Sequence, residues 1–549
     1  MQADLVLSGG KIWTANPSQP WAEALAISGN RVQAVGLSSN MPAARQRIEL
    51  EGRLVIPGLW DAHIHFYSWS LSRQQVKLAG VESLEAMKVR LADFLRHSPG
   101  EAWLTGWGWN EASWPEPAEP TRHDLDELTG PHRPCLLWRS DLHTAVANSC
   151  ALRLAGLLER IPEVDGGVVE RSEDGTPSGL LRELAVNLVQ EHIPAPTRGQ
   201  TEASLLEGMA ELHRLGITGV CDQRIKDQDD GPKALAAYTR LNRTERLKLR
   251  VSCNVAAHNL GSLEALGLGS SMGDERLRLG HLKIFCDGTL GSRTAWMLKP
   301  FSGQENRGVV LTPPEQMREE IRRAVTLGFP VSIHAIGDRA NRVCLDLFQE
   351  VQELGLEPPS VPHRIEHVQL LDDSDVERLQ QLGLTASMQP GHILDDMDTA
   401  EAYLQARARL AYRTRELENS GVLLAFGSDA PVSEVNPFYG IHGAVCRQRP
   451  DRMESPAWYP EQLLTLEQAL IGYTIGAARA AGWDGLTGSL QVGKRADLCI
   501  LDRDLFELVG RGVQGFELCD TRVLLTMLDG DVVYRSSEFS KLCKIRHSR

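Results

Sequence analysis

Two histidines at spacing two, His63 and His65 in Asp61-Ala62-His63-Ile64-His65, come directly after the apolar run LVIPGLW. In an extended strand residues i and i+2 face one side, so both imidazoles can offer a nitrogen to one metal ion. Such a pair can also be an accident of a strand end. Three further residues argue for a site: His334 in FPVSIHAIGD, His367 in HRIEHVQ and Asp429 in LLAFGSDAPV each end an apolar, strand-like run. Singly they read as packed or capping residues. Jointly, imidazoles and a carboxylate make a donor set that zinc accepts. Lys283 in RLGHLKIFCDGTLGSRTA ends another such run, where an unpaired ammonium is costly to bury. It either pairs with Asp287 or reaches water, or its desolvated amine takes up carbon dioxide as a carbamate whose two oxygens can bridge two divalent ions.

These residues need a frame that gathers strand ends. Apolar strand-like segments near 54–58, 217–222, 249–254, 281–285, 330–334, 363–367, 384–388 and 423–427 alternate with helical patterns such as PPEQMREEIRRAVTLG and DDSDVERLQQLG, each with acids in its first turn. Eight strand-then-helix units predict a (β/α)8 TIM barrel, in which all strand C-termini surround one mouth. The first gap is too long for one helix, so an insertion of about 67–215, Trp- and Pro-rich at GWGWNEASWPEPAEP, is expected. At both chain ends apolar and polar residues alternate around Gly-Gly, Gly-Asn and Asp529-Gly530 turns, which are hairpin signals. Neither end has enough strands for a core, so the two are expected to pair into one small β-sandwich. The α/β chain therefore divides into 1–57 and 485–549 for the sandwich and 58–484 for the barrel.

Composition agrees with a large soluble fold. The 549 residues exceed a single module at about 150 per domain, and no run approaches the roughly 18 apolar residues of a membrane span. With 58 basic and 72 acidic residues the net charge is -14, which argues against a nucleic-acid partner. The partner expected is a small-molecule substrate; self-association into a homo-oligomer stays open. The start, MQADLVLSGG, lacks the layout of a signal peptide, and the ten cysteines are scattered without a CxxC pair. Both point to a cytoplasmic protein with reduced, buried thiols.

The motifs DAHIHF, KIFCDGTLGSRTA, SIHAIGD, RIEHVQ, SMQPGH and FGSDAPV resemble those of the amidohydrolase superfamily, and of its YtcJ-like metal-dependent hydrolases, a branch that includes N-substituted formamide deformylase. The resemblance spans nearly the whole chain, including the terminal GSLQVGKRADLCILD. It implies that His63 and His65 hold one metal with Asp429, that His334 and His367 hold a second, and that carboxylated Lys283 bridges them, with one or two zinc ions as the cofactor. It implies hydrolysis of an amide-type C–N bond by a metal-bound hydroxide, Asp429 carrying the proton to the leaving amine.

Further residues of the barrel mouth are candidate substrate contacts. His143 in DLHTAVANSCALRLAG matches an HxxxVN-like segment of the branch, a structural cap being the alternative. Arg293 in GSRTA, and Gln389 with His392 in QPGH, sit after the fourth and seventh strands, where barrels bind substrates. Trp107 and Trp109 are either an apolar wall or ordinary core. A heterocycle deaminase is the competing enzyme class, but many such enzymes place Glu three residues after the fifth-strand His, where this chain has Gly337. A barrel reused for regulation is the non-enzyme reading, which the full set of ligand-type residues disfavours.

Overall fold

The computed structural model describes residues 2–547 apart from 98–99, 101, 112–113, 140–143, 165, 227–229 and 356–359. Its centre is a parallel sheet of eight strands in sequence order: β1 (Leu59–Ile64), β2 (Ile217–Asp222), β3 (Arg250–Ala256), β4 (Leu277–Phe285), β5 (Val331–Ala335), β6 (Arg364–His367), β7 (Thr385–Met388) and β8 (Leu423–Phe426). Their side chains are almost all buried, as expected of strands covered on both faces. Helices follow where acids open an amphipathic run, as at Pro314–Thr326 and Val376–Gln381. The α/β barrel predicted above is thus present.

One strand differs from expectation. Residues 54–57 do not open the barrel: Leu54–Pro57 pairs antiparallel with Leu498–Leu501, and β1 begins at Leu59, so Asp61 and His63 lie within the first barrel strand rather than after it. The apolar run is continuous, and only Gly58 marks the change of sheet. A Cβ at Gly58 would lie 2.4 Å from the Thr218 hydroxyl oxygen, so β2 crosses there at a distance only glycine allows.

At the other edge β8 comes back to β1. The Asp429 amide donates to the His63 carbonyl at 2.6 Å, and the Asp61 carboxylate accepts from the Ser428 amide at 3.0 Å and its hydroxyl at 2.6 Å. A Cβ on Gly427 would stand 2.3 Å from the His63 amide nitrogen. Glycine at this position is what lets the last strand close on the first.

Both chain ends build the second layer pair. One sheet orders Lys544–His547, Ala44–Glu49, Ala3–Ser8, Ala24–Ser28 and Arg31–Gly36; the other orders Asp531–Arg535, Val523–Leu528, Leu498–Leu501, Leu54–Pro57, Lys11–Trp13 and Trp21–Ala22. Leu7, Ile12 and Leu25 from the start share a core with Ile500, Leu525 and Phe539 from the finish, so neither terminal segment has a core without the other.

Residues 70–204 form a separate compact unit around a mixed six-stranded sheet, from Val76–Lys77 at one edge to Gly167–Arg171 at the other. Trp109 is 1% exposed inside this unit's own apolar core. The ten cysteines are buried free thiols. Among the described residues no helix is long and apolar enough to cross a membrane.

Candidate metal centre

β1 carries His63 and delivers His65 one residue past its end. Their Nε2 atoms each lie 3.2 Å from the same oxygen, Asp429 Oδ1. The Asp429 backbone sits in the left-handed region at φ 61°, a conformation uncommon outside glycine, and the His65 amide donates to Ala430 at 3.0 Å. The loop after β8 is thereby pinned over β1, which fixes where the Asp429 carboxylate points. Asp61, beneath it, is pushed up to about 6 by burial, against the hydrogen bonds it accepts from Ser428 and His63.

Three imidazoles have their tautomer set by an acceptor on the far nitrogen. His63 Nδ1 is 2.6 Å from Glu366 Oε2, His367 Nδ1 is 2.8 Å from Gln389 Oε1, and His334 Nε2 is 3.0 Å from the Gly288 carbonyl. Each acceptor holds a proton on the nitrogen it faces, leaving Nε2 of His63, Nε2 of His367 and Nδ1 of His334 as lone-pair donors. The rings stand close: 4.8 Å between the His63 and His367 centroids and 4.5 Å between those of His334 and His367. β5 and β6 thus bring two of the predicted histidines to the two on β1.

Burial, reinforced by the neighbouring Lys283 charge, holds His334 down at about 3, and burial together with His334 and His63 holds His367 well below its ordinary value. Both are neutral imidazoles, the form that binds metals. Burial also works to lower His63, but the carboxylates of Glu366 and Asp429 outweigh it and leave it raised. Asp429 is the converse: burial would raise it, and His63, His65 and His367 together hold it well below the carboxylate range.

Lys283, on β4, is 2% exposed, and among the described residues its ammonium has no hydrogen bond or ion pair; the Phe285 ring is its neighbour at 4.9 Å. Desolvation brings it down to about 8 despite Glu366 and Asp429. The alternative partner, Asp287, is taken by the backbone amides of Trp296, Ile336 and Gly337.

The outer candidates divide. His392 is 7% exposed and joins the group: its Nε2 is 3.8 Å from Asp429 Oδ2, and one nitrogen each of His367 and His392 lies with an Asp429 oxygen within 4.8 Å of one another. Gln369 places its amide nitrogen 3.5 Å from His392 Nδ1, so that nitrogen accepts and Nε2 carries the proton. Gln389, expected as a substrate contact, is 1% exposed with its amide oxygen on His367 Nδ1, so it orients that ring. Arg293 stands over the Tyr403 ring at 5.2 Å and has no bond to the histidine cluster among the described residues. His143 lies outside the described residues.

Sequence reasoning missed Glu366. Strand alternation cannot turn both Glu366 and His367 inward, yet both meet His63, because His367 takes a left-handed φ of 75° that breaks the two-residue period. An acid inside the apolar strand HRIEH was the available signal.

The donor set fits a divalent ion. His63 Nε2 stands 3.2 Å from Asp429 Oδ1, a contact that either a proton on that nitrogen or a cation between the two atoms makes favourable, so an ion can take the proton's place. His63, His65 and Asp429 offer three ligand atoms within 4.8 Å, two nitrogens and an oxygen, as zinc sites do.

The chain matches the amidohydrolase family over residues 46–534. It is 32% identical to the protein LONG AFTER FAR-RED 3 of Arabidopsis thaliana, over 97% of this chain and 92% of that one. It is 28% identical to the YtcJ protein of Bacillus subtilis (96% and 99% covered) and 26% identical to the N-substituted formamide deformylase of Arthrobacter pascens (97% and 98% covered). Among solved structures, an uncharacterized metal-dependent hydrolase from Pyrococcus furiosus superposes with a TM-score of 0.73 at 30% identity, over 91% of this chain and 99% of that one.

Proposed function

The chain belongs to the amidohydrolase family and is a hydrolase of that family with a His/His/Asp metal-binding group; from this premise we propose that it cleaves an amide-type C–N bond, with zinc as its ion and N-substituted formamides or cyclic amides as the substrate class. The observation that carries the reading is the Asp429 carboxylate, whose Oδ1 faces both β1 imidazoles at 3.2 Å while Oδ2 is turned to the other side, toward His392. The formamide deformylase relative supports the substrate class.

A first ion on His63, His65 and Asp429, and a second on His334, His367 and carboxylated Lys283, would supply the acidity that readies a water for attack and polarises the scissile carbonyl. Asp429 Oδ2 takes the proton from the attacking water oxygen and returns it to the leaving amine nitrogen. His392 Nε2–H, on the same side as Oδ2, donates to the oxygen of the scissile carbonyl as negative charge builds there. Lys283 reaches its bridging form when its neutral amine adds to carbon dioxide: an N–C bond forms, one N–H proton leaves, and a carbamate anion results. Its lack of a hydrogen bond or ion pair among the described residues, and its lowered pKa, favour that reaction.

The test is a hydrolysis screen of the zinc-loaded protein over N-formyl, N-acyl and cyclic amides, reading amine and carboxylate release. Turnover that is lost on chelation and regained with zinc is expected, with His63→Ala losing most of the bound metal. Ammonia released from heterocyclic amines, with no amide turned over, would replace this reading by the deaminase one.

A further inference from the structure

We propose that Glu366 is a positioning residue of the metal centre, a buried carboxylate that fixes His63 in its ligand tautomer before an ion arrives. The inference rests on the metal-dependent reading above and adds to it the part of the barrel that prepares the site.

Glu366 has no exposed surface and is the hub of a polar network inside the barrel. Its Oε2 accepts from His63 Nδ1 at 2.6 Å. Its Oε1 accepts from Arg364 Nε, from the Ser332 hydroxyl and, at 3.4 Å, from the Gln223 amide nitrogen. The side chains come from β1, β5 and β6 and from the residue after β2. Asn254 of β3 extends the network by donating to Gln223 at 2.9 Å. Arg364 also donates from Nη2 to the carbonyl of Ala62 at 2.7 Å, the residue before His63, so the same ion pair holds the β1 backbone and the β1 imidazole. A barrel centre is ordinarily filled with branched apolar side chains. Here it carries a charged support directly under one ligand.

The chemistry requires a carboxylate. Among the described residues four donors and no acceptor bond to Glu366, so both of its oxygens accept. A glutamine would present one NH2 group. Placed toward Oε1 it meets a guanidinium that cannot give up its proton, so the amide nitrogen settles against His63. The imidazole then moves its proton to Nε2, the nitrogen facing Asp429, and the lone pair meant for the ion is lost. A role confined to holding β6 would be met by Arg364 and Ser332 alone and would not involve His63.

Zinc affinity is to be measured by chelator competition on folded protein, with the ligand-field spectrum of the cobalt-loaded form as second readout. Glu366→Gln is expected to weaken zinc binding by about 10- to 100-fold, the usual scale for an outer-shell partner, and to change the cobalt spectrum as one imidazole is lost. Ser332→Ala, which removes a donor to the other oxygen, is expected to stay within about threefold of the parent. Glu366→Asp keeps the charge but shortens the reach, so its affinity should fall between the two; it decides the matter if Glu366→Gln does not fold. Parent-like affinity and spectrum in folded Glu366→Gln, or in Glu366→Asp where only that variant folds, would overturn the proposal. A parent protein that binds no metal at all would instead overturn the functional reading beneath it.

Discussion

Gly427→Ala tests whether barrel closure sets the metal ligands. The φ of Gly427 lies outside the left-handed region, so alanine is excluded by space alone. The added methyl carbon would lie 2.3 Å from the His63 amide nitrogen, 2.6 Å from Asp61 Oδ1 and 2.9 Å from His63 Cα, where ordinary contact begins at 3.4 Å. Relief requires about 1 Å of movement. None of the three atoms is the tip of a flexible side chain: two are β1 backbone and the third is a carboxylate held by Ser428 and His63. The movement therefore passes to His63 and Asp429. Overpacking of this kind costs about 1–3 kcal/mol of stability, and a misplacement of about 1 Å at a reacting group lowers turnover by roughly 100-fold. The assay compares thermal unfolding, zinc content and turnover of an amide identified in the screen. Gly485→Ala is the control, since a Cβ there meets nothing within 4 Å, and it should behave as the parent. If Gly427→Ala keeps parent zinc content and turnover within about threefold, closure does not set the ligand geometry and the reasoning fails.

Asp429→Asn keeps one coordinating oxygen but loses basicity, so it should retain a substantial part of its metal while turnover falls about 100-fold or more; unchanged turnover would remove Asp429 from proton transfer. Lys283→Ala should lose the bridge and the activity, with partial recovery on adding short carboxylic acids, and full metal content and rate in this variant would make Lys283 structural. A fourth prediction concerns acid stability. Burial would raise Asp497, but Arg250, at 2.7 and 3.0 Å, outweighs it and holds the carboxyl below its ordinary value. A lowered folded pKa adds stability above the unfolded-state pKa, near ~3.9, and that stability is lost as pH falls through the folded value. Asp497→Asn should destabilise the neutral protein, but by less than the roughly 3–5 kcal/mol of a buried charge left with no partner, because Arg250 keeps Asp529 at 2.6 Å. It should also flatten the loss of stability below about pH 4; parallel urea-midpoint curves for the two proteins would count against the assignment.

Much of the barrel was legible because its signals are local. Seven of the eight strand positions follow from short apolar runs that end in Gly, Pro or an acid-led helix, and the (β/α)8 frame then forces their C-terminal ends to one mouth. His63, His65, Lys283, His334, His367 and Asp429 could be selected by residue type at those ends. The sandwich was legible for a related reason: each terminal segment alternates correctly yet lacks the strands to bury its own apolar face. The first barrel strand was misplaced because LVIPGLW is apolar throughout, and periodicity cannot mark the point where a continuous run changes sheets.

What the sequence determined by itself is therefore the architecture and the chemical types at the strand ends, since both depend on patterns a few residues long. Only the tertiary structure decided how those groups act on one another. Glu366 reads in sequence as an isolated acid, and it becomes the support of His63 because residue 366 is brought beside residue 63 and the left-handed backbone of His367 turns two consecutive side chains inward. Gln389 and His392 read alike in sequence, as candidate substrate contacts of one QPGH turn, and only the fold sets the Gln389 amide on His367 and faces His392 toward Asp429. A tautomer, a lowered pKa or a shared carboxylate depends on distances of about 3 Å between residues hundreds apart in the chain. Such distances exist only after the barrel closes, and no local pattern encodes them.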